Sequence, residues 1–345
     1  NKKKQNKIIY INGRFLTQKI TGVQRYAIEV VKQLDKLNLN YQFVLLVPKK
    51  GIIQSIELNN IEIRKIGNFT GHIWEQISLP IYILIHDKGD LLNFCNVAPI
   101  LYPGYITIHD IAFKTHPEHL DRKFSLVYRI ITRMNIKRYK HIFTVSNFSK
   151  KEIMNNYKIS DNEITVTYNS AEHLKEIKED KEIINILGLN GKEFCFSLGS
   201  KSPHKNHQFI IECAKRNPDN LFVVSGNNNN KIFKNENNEK NVKNLIYTGY
   251  LNDNELISLY KNCKAFIFPS LYEGFGIPPL EAMESGCKNI IVSNIEVLEE
   301  IYGDSVKYID IKNEEYESKN IINKVNEKKI YINLLDKYTW RKTVD

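Results

Sequence analysis

Short apolar runs alternate along this chain with segments of helical spacing, and they do so in two series. Ile8-Ile9-Tyr10-Ile11 ends at Asn12-Gly13 and reads as a buried strand and a turn, and Val23 to Leu37 follows with helical periodicity. Phe43 to Val47, Tyr105 to Ile108 and Ile142 to Val145 are the further strands of this series. A second series runs Phe194 to Leu198, a helix over 206–215, Leu221 to Val224, Asn244 to Tyr247, a helix over 253–261, Ala265 to Phe268 and Asn289 to Val292. Continuous apolar strands separated by helices require a parallel sheet covered on both faces, which is an α/β architecture.

The length of 345 residues suits two such domains. The expected division is 1–172, then 173–330, with a linker near Ala171 to Glu179. Residues 331–345 are amphipathic and contain Trp340, which predicts a final helix returning to the first domain. The Asn/Lys/Glu-rich stretch 227–240 reads as a surface loop.

Composition removes several classes of function. The five cysteines are scattered without a Cys-x-x-Cys, which points to a reducing compartment and away from zinc or a disulfide framework. The most apolar stretch, Ile77 to Ile85, is too short to span a bilayer, so a cytoplasmic location is expected. No Gly-x-Gly-x-x-Gly follows the first strand, which argues against a dehydrogenase. Residues 1–170 hold 25 Lys/Arg against 13 Asp/Glu, whereas the remainder is close to balanced, so the first half is the basic, partner-facing half. Aromatic–basic interleaving and nucleic-acid reader motifs are missing, so no nucleic-acid partner is expected. Between Leu120 and Val145, Arg129, Arg133, Lys137 and Lys140 recur at helical spacing beside Val127, Ile130, Ile131 and Met134. Two readings stay open: a basic amphipathic helix on the inner face of an anionic membrane, or a solvated face on a core-packed helix.

The stretch "PSLYEGFGIPPLEAM", residues 269–283, carries the most chemistry. It follows the strand Ala265 to Phe268, so Glu273 lies beyond a strand's carboxyl end, where open α/β sheets bind ligands. Gly274 and Gly276 permit positive φ and close backbone approach. Pro278 and Pro279 suit a first helical turn, whose positive end favours phosphate. Glu281 is expected in that first turn, where a carboxylate is also ordinary dipole complementation.

These residues resemble the Glu-x7-Glu motif of the retaining, GT-B-fold glycosyltransferases of family 4, enzymes of bacterial surface-polysaccharide synthesis. The resemblance implies two Rossmann-like, doubly wound domains facing a central cleft, acceptor on the first and nucleotide sugar on the second. It implies that Glu273 binds donor-sugar hydroxyls and Glu281 the ribose, with Gly274, Phe275, Gly276 and Ile277 in the donor loop. Gly199-Ser200-Lys201-Ser202-Pro203-His204-Lys205 resembles the family's phosphate-binding turn, with Lys205 on the diphosphate. Ser200 stands where many members have Arg, and Lys201 is a candidate to compensate. Thr21-Gly22-Val23 resembles the glycine loop near the donor phosphates, and Ile108-His109-Asp110 the segment whose histidine contacts the donor sugar. Gly71-His72-Ile73-Trp74-Glu75-Gln76 and Ser146-Asn147-Phe148-Ser149 are also similar to the family and read as mainly structural. Tyr250 falls beside the nucleotide base in the family; a core position is the alternative.

The implied activity is transfer of a hexose from a nucleotide-diphosphate sugar to a saccharide or lipid-linked acceptor, with retention, in capsule, O-antigen or exopolysaccharide synthesis. His109, Lys205 and Glu273 are the expected catalytic groups. No Asp-x-Asp stretch is present, so neither metal nor cofactor is expected. A sugar-nucleotide epimerase of the same fold and a non-catalytic sugar-nucleotide-binding protein are the alternatives.

Overall fold

The computed structural model describes residues 7–86, 88–199, 202–226, 242–326 and 334–345. Ser200 and Lys201, the loop expected over 227–240 and residues 331–333 lie outside them. The chain divides into two compact units, residues 1–169 with Trp340–Asp345, and Ser170–Thr339.

The first unit is built on strands β1 (Lys7–Asn12), β2 (Tyr41–Pro48), β3 (Glu62–Ile66), β4 (Asp90–Asn93), β5 (Tyr105–Thr107), β6 (His141–Thr144) and β7 (Ile164–Val166). They form one sheet in the order β3-β2-β1-β4-β5-β6-β7, every pairing parallel. Its longer helices are α1 (Gly22–Lys36), α2 (Leu79–Ile85), α3 (Arg122–Asn135) and α4 (Asn147–Tyr157). In the second unit β8 (Phe194–Leu198), β9 (Leu221–Ser225), β10 (Leu245–Gly249), β11 (Ala265–Phe268), β12 (Ile290–Ser293) and β13 (Lys307–Ile309) are parallel in the order β10-β9-β8-β11-β12-β13. Its helices are α5 (His207–Arg216), α6 (Asp253–Asn262), α7 (Ile277–Glu284), α8 (Glu296–Tyr302) and α9 (Glu314–Asn326).

Both sheets are doubly wound, and in each the strand order reverses beside the first strand of the unit. Sequence periodicity misses β3, β4, β7 and β13. Edge strand β3 reads Glu-Ile-Arg-Lys-Ile, three of its five residues charged, and β4, β7 and β13 are three or four residues long. Strands this short carry almost no period-2 signal. Their central neighbours are found because they are apolar throughout: Val44 to Val47 and Ala265 to Phe268 are buried at every position. The final helix, α10, spans only Trp340–Val344, after a 3-10 turn at Leu335–Lys337. Trp340 is buried, its ring 6.2 Å from that of Tyr26 on α1.

One buried carboxylate anchors the irregular stretch between β2 and β3. Asp35, in the last turn of α1, accepts from the backbone amides of Asn59 (2.8 Å), Asn60 (2.7 Å) and Ile61 (2.7 Å). Burial works against its charge, but the three N–H donors outweigh that and hold its pKa below the usual value. A depressed folded pKa gives stability that is present above the unfolded value, near 4, and lost as pH falls through the folded one. Asp35→Asn is therefore expected to lose about 1–3 kcal/mol at pH 7 and to weaken the acid limb of the denaturation curve. Urea titrations at pH 7 and pH 3 measure both effects.

Candidate active site

In the second unit the strand order reverses between β8 and β11, so the loops after these two strands flank the place where such sheets bind ligands. After β8 the chain makes a 3-10 turn, Pro203–Lys205, then passes through Asn206 at φ 52° into α5. The turn is tied to the β11 loop by the Leu271 amide, which donates to the His204 carbonyl at 2.7 Å. The two loops thereby bring Lys205 Nζ to 2.6 Å from Glu273 Oε1, across 68 residues of sequence. Both side chains are mostly covered, and the Lys205 ammonium also lies 5.7 Å from the Phe268 ring centroid. At the end of β9, Gly226 has φ 107°, and a Cβ there would stand 2.2 Å from the Gly199 carbonyl oxygen, so only glycine lets β9 pass the phosphate-type turn.

The loop between β11 and α7 departs from expectation in several places. Only Gly276 takes a positive φ, 83°, and it is the N-cap of α7; Gly274 is not among the positive-φ residues. A Cβ at Gly276 would meet Leu298 Cδ2 at 2.6 Å, and the Gly276 carbonyl accepts from the Tyr302 hydroxyl. Because α7 begins at Ile277, Glu281 sits in the second turn, outside the zone where the helix dipole explains a carboxylate. Pro278 and Pro279 have no N–H, so the helix start offers fewer amides than the sequence reading assumed. Phe275 and Ile277 are buried, with the Phe275 ring edge-on to Tyr338 at 5.6 Å, so any donor contact from them is through the backbone. Tyr250 is 58 % exposed after β10, which removes its core alternative.

Glu281 has partners that sequence inspection misses. The Tyr260 hydroxyl donates to its Oε2 at 3.3 Å, and His173 Nε2 lies 3.4 Å from its Oε1. His173 comes from the weakly patterned stretch after Asn169, where no local signal marks it. Burial first, and then the Glu281 charge, push the Tyr260 phenol well above its ordinary pKa, so it stays a donor.

In the first unit His109 follows β5 at the carboxyl edge, and it is buried. Its Nε2 is 2.8 Å from the Phe94 carbonyl, which can only accept, so Nε2 bears the proton and Nδ1 the lone pair. Burial lowers its pKa to about 4, leaving the ring neutral. Its backbone is fixed by Asn96 Oδ1 (2.7 Å from the His109 amide) and by the Ser149 hydroxyl (2.9 Å from its carbonyl). Asp110 caps locally, accepting from the Ala112 amide at 2.9 Å. Gly22 is the exposed first residue of α1 behind the Thr21–Gln24 capping box. A further constellation gathers at the ends of β1 and β4: buried Arg14 and Glu75 form an ion pair at 3.0 Å, and Asn12, Asn93 and His72 join it.

The basic residues separate. Arg129 and Arg133 are on α3, Lys137 follows it, and these three line a cavity of about 640 Å³ with Lys114, Tyr157 and Lys158. Lys140 lies off that helix, just before β6, and pairs with Asp90, which also binds Lys7 at 2.5 Å. Ile131 is buried whereas Leu126, Val127, Ile130 and Met134 face solvent. Among the described residues His116, Glu118 and His119 form the one group with metal-ligand types close enough to share an ion, and His116 and Glu118 already pair at 3.3 Å. No described helix is long and apolar enough to cross a membrane.

Comparison with known proteins fits this geometry. Residues 179–338 match the family model for glycosyl transferases group 1, which places the match on the unit that holds Lys205, Glu273 and Glu281. The chain is similar to glycosyltransferases. It is 30 % identical over 247 residues to the O-antigen chain mannosyltransferase RfbU of Salmonella typhimurium, covering 68 % of this chain and 64 % of that protein, just under two thirds. It is 25 % identical over 314 residues to O-antigen chain mannosyltransferase B of Escherichia coli, covering 83 % and 82 %. Its fold matches that of Anabaena HepE, solved with UDP and glucose, at a TM-score of 0.69 over 99 % of this chain and 97 % of that one, with 16 % identity. The chain thus has the GT-B construction of two Rossmann-like units.

The neutral His109 yields a prediction. With a pKa of about 4, its imidazole does not titrate between pH 5.5 and 8. Its ring-proton NMR shifts are expected to stay flat across that range, and a shift with a midpoint near 6.5 would contradict the burial argument.

Proposed function

We propose that this protein is a retaining glycosyltransferase of family 4 that transfers mannose from a nucleotide-diphosphate donor to a lipid-linked saccharide in O-antigen synthesis. The Lys205–Glu273 contact at the strand reversal of the second unit carries the reading. A donor sugar offers hydroxyls, which a carboxylate accepts from, beside a diphosphate, which an ammonium neutralises, and the pair presents one group for each. Glu281, eight residues after Glu273, supports the family 4 motif, in which this carboxylate takes the ribose, and Tyr260 and His173 hold it in place. The names of the two curated relatives support mannose and O-antigen.

Lys205 and the α7 dipole stabilise charge on the departing diphosphate. Glu273 holds sugar hydroxyls and does not attack the anomeric carbon. The acceptor's proton passes to the departing phosphate oxygen as the new bond forms on the same face. In the first unit His109 Nδ1 is a lone-pair acceptor suited to a saccharide hydroxyl. Tyr250 and the backbone of Gly274, Phe275, Gly276 and Ile277 complete the donor contacts of the second unit. Lys205→Ala and Glu273→Gln are each expected to lower turnover with GDP-mannose by at least ~100-fold. Near-normal rates in folded variants would overturn the assignment. NMR of the first-formed product is expected to show the donor's anomeric configuration; the opposite configuration would reject a retaining mechanism.

We also propose that α3 lies on an anionic membrane. Its outward strip of Leu126, Val127, Ile130 and Met134 is flanked by Arg129 and Arg133, an arrangement suited to acyl chains beneath phosphate headgroups. Ile77, Ile81, Leu84 and Ile85, on α2 and just before it, are exposed as well. Flotation with vesicles containing about 30 % anionic lipid is expected to carry the protein up, and Ile130→Asp to release it. Equal flotation with neutral vesicles, or none with either, would reject the proposal.

A further inference from the structure

The strand order of the first unit reverses between β1 and β4, the place where an open α/β sheet binds its ligand. The residues gathered there are an ionic network with one outlet. Arg14 and Glu75 are buried, with Arg14 Nε 3.0 Å from Glu75 Oε1. Asn12 Nδ2 donates to the same Oε1 at 2.8 Å and to Asn93 Oδ1 at 3.0 Å. Burying an ion pair is a poor way to gain stability, since desolvation offsets most of the attraction. Its presence at a ligand edge asks what it holds.

It holds His72. Glu75 Oε1 is occupied by two donors, and Oε2 lies 3.1 Å from His72 Nδ1. Burial opposes the Glu75 charge, but Arg14 first, and then His72 and Asn12, keep its carboxyl below the ordinary range. A carboxylate can only accept, so His72 donates through Nδ1–H, and in the neutral ring Nε2 carries the lone pair. The charge of Glu75 is already met by Arg14, so the histidine is not needed for neutrality. The His72 side chain is 43 % exposed where Glu75 is 1 % exposed, so the imidazole is the member of the network that reaches solvent. The Tyr128 ring stands perpendicular to it at 6.0 Å as a wall, and the Tyr128 hydroxyl is itself hydrogen-bonded by Arg14. Gly71, at φ 57°, sets the backbone immediately before.

We propose that His72 is an acceptor-binding residue, whose Nε2 accepts a hydrogen bond from a hydroxyl of the acceptor saccharide, with Glu75 and Arg14 as positioning residues that fix its tautomer and direction. The inference rests on the glycosyl-transfer reading and names the group in the first unit that the acceptor touches. No covalent step is assigned to His72.

The test uses the full chain, GDP-mannose, and the octyl glycosides of mannose, galactose, glucose and N-acetylglucosamine as acceptors. Transfer to the glycoside and hydrolysis to free mannose are measured together. For His72→Ala the ratio of transfer to hydrolysis is expected to fall about five- to tenfold, the worth of one hydrogen bond, with acceptor KM rising by a like factor and kcat held within about twofold. His72→Gln, whose amide oxygen accepts, is expected to recover part of the loss. A His72→Ala protein with the wild-type ratio and KM overturns the inference. So does a loss confined to kcat that tracks a lowered melting temperature, which would mark a structural role. Wild-type protein that transfers to none of the glycosides overturns the parent reading, and this one with it.

Discussion

A lysine ammonium and a glutamate carboxylate 2.6 Å apart hold together two loops separated by 68 residues. The contact exists because β8 and β11 are neighbours in the sheet while their following segments leave in opposite directions, one into α5 and one into α7. Everything needed to keep it there is backbone. Gly226 lets β9 pass the first loop, the Leu271 amide pins the second to the first, and Gly276 turns the chain into α7. The described part of the site is thus set by two loops tied to each other and to neighbouring strands of one sheet.

The two units show the same device in different states. Each places a cation–carboxylate pair where its strand order reverses: Arg14–Glu75 in the first, Lys205–Glu273 in the second. The first pair is sealed, its carboxylate saturated by Asn12, Arg14 and His72. A sealed pair does not exchange partners, and its consequence is to orient what it touches. The second is partly open and built from an ammonium on a flexible stem, which can turn to an incoming phosphate. Arginine in the sealed position and lysine in the open one accord with their chemistry: a planar fork suits fixed geometry, and a mobile point charge suits ligand exchange.

Much of this was legible in the sequence, for reasons that particular residues make plain. Central strands such as Phe194 to Leu198 are apolar at every position because both sheet faces are covered, so the α/β class and two series were readable. Glu273, Lys205 and His109 could be singled out because each follows such a strand. The rest depended on tertiary placement. His173 reaches Glu281 from a stretch with no local pattern, and the partnership of Arg14 with Glu75 spans 61 residues. Lys140 shares helical spacing with Arg129, Arg133 and Lys137, but the helix stops at Asn135, so periodicity alone misassigned it. Glu281 was expected in the first turn because two prolines suggested a later helix start, whereas the positive φ of Gly276 lets the helix begin at Ile277.

Lys205 is proposed to neutralise the donor's diphosphate. Calorimetric titration of GDP into the wild type and into Lys205→Ala, at 50 and 300 mM salt, tests it directly. The wild type is expected to bind with an affinity that falls as salt rises, and the variant to bind at least about tenfold more weakly, the worth of one charge-assisted contact. Equal affinity in the two proteins, with the same salt dependence, would contradict it.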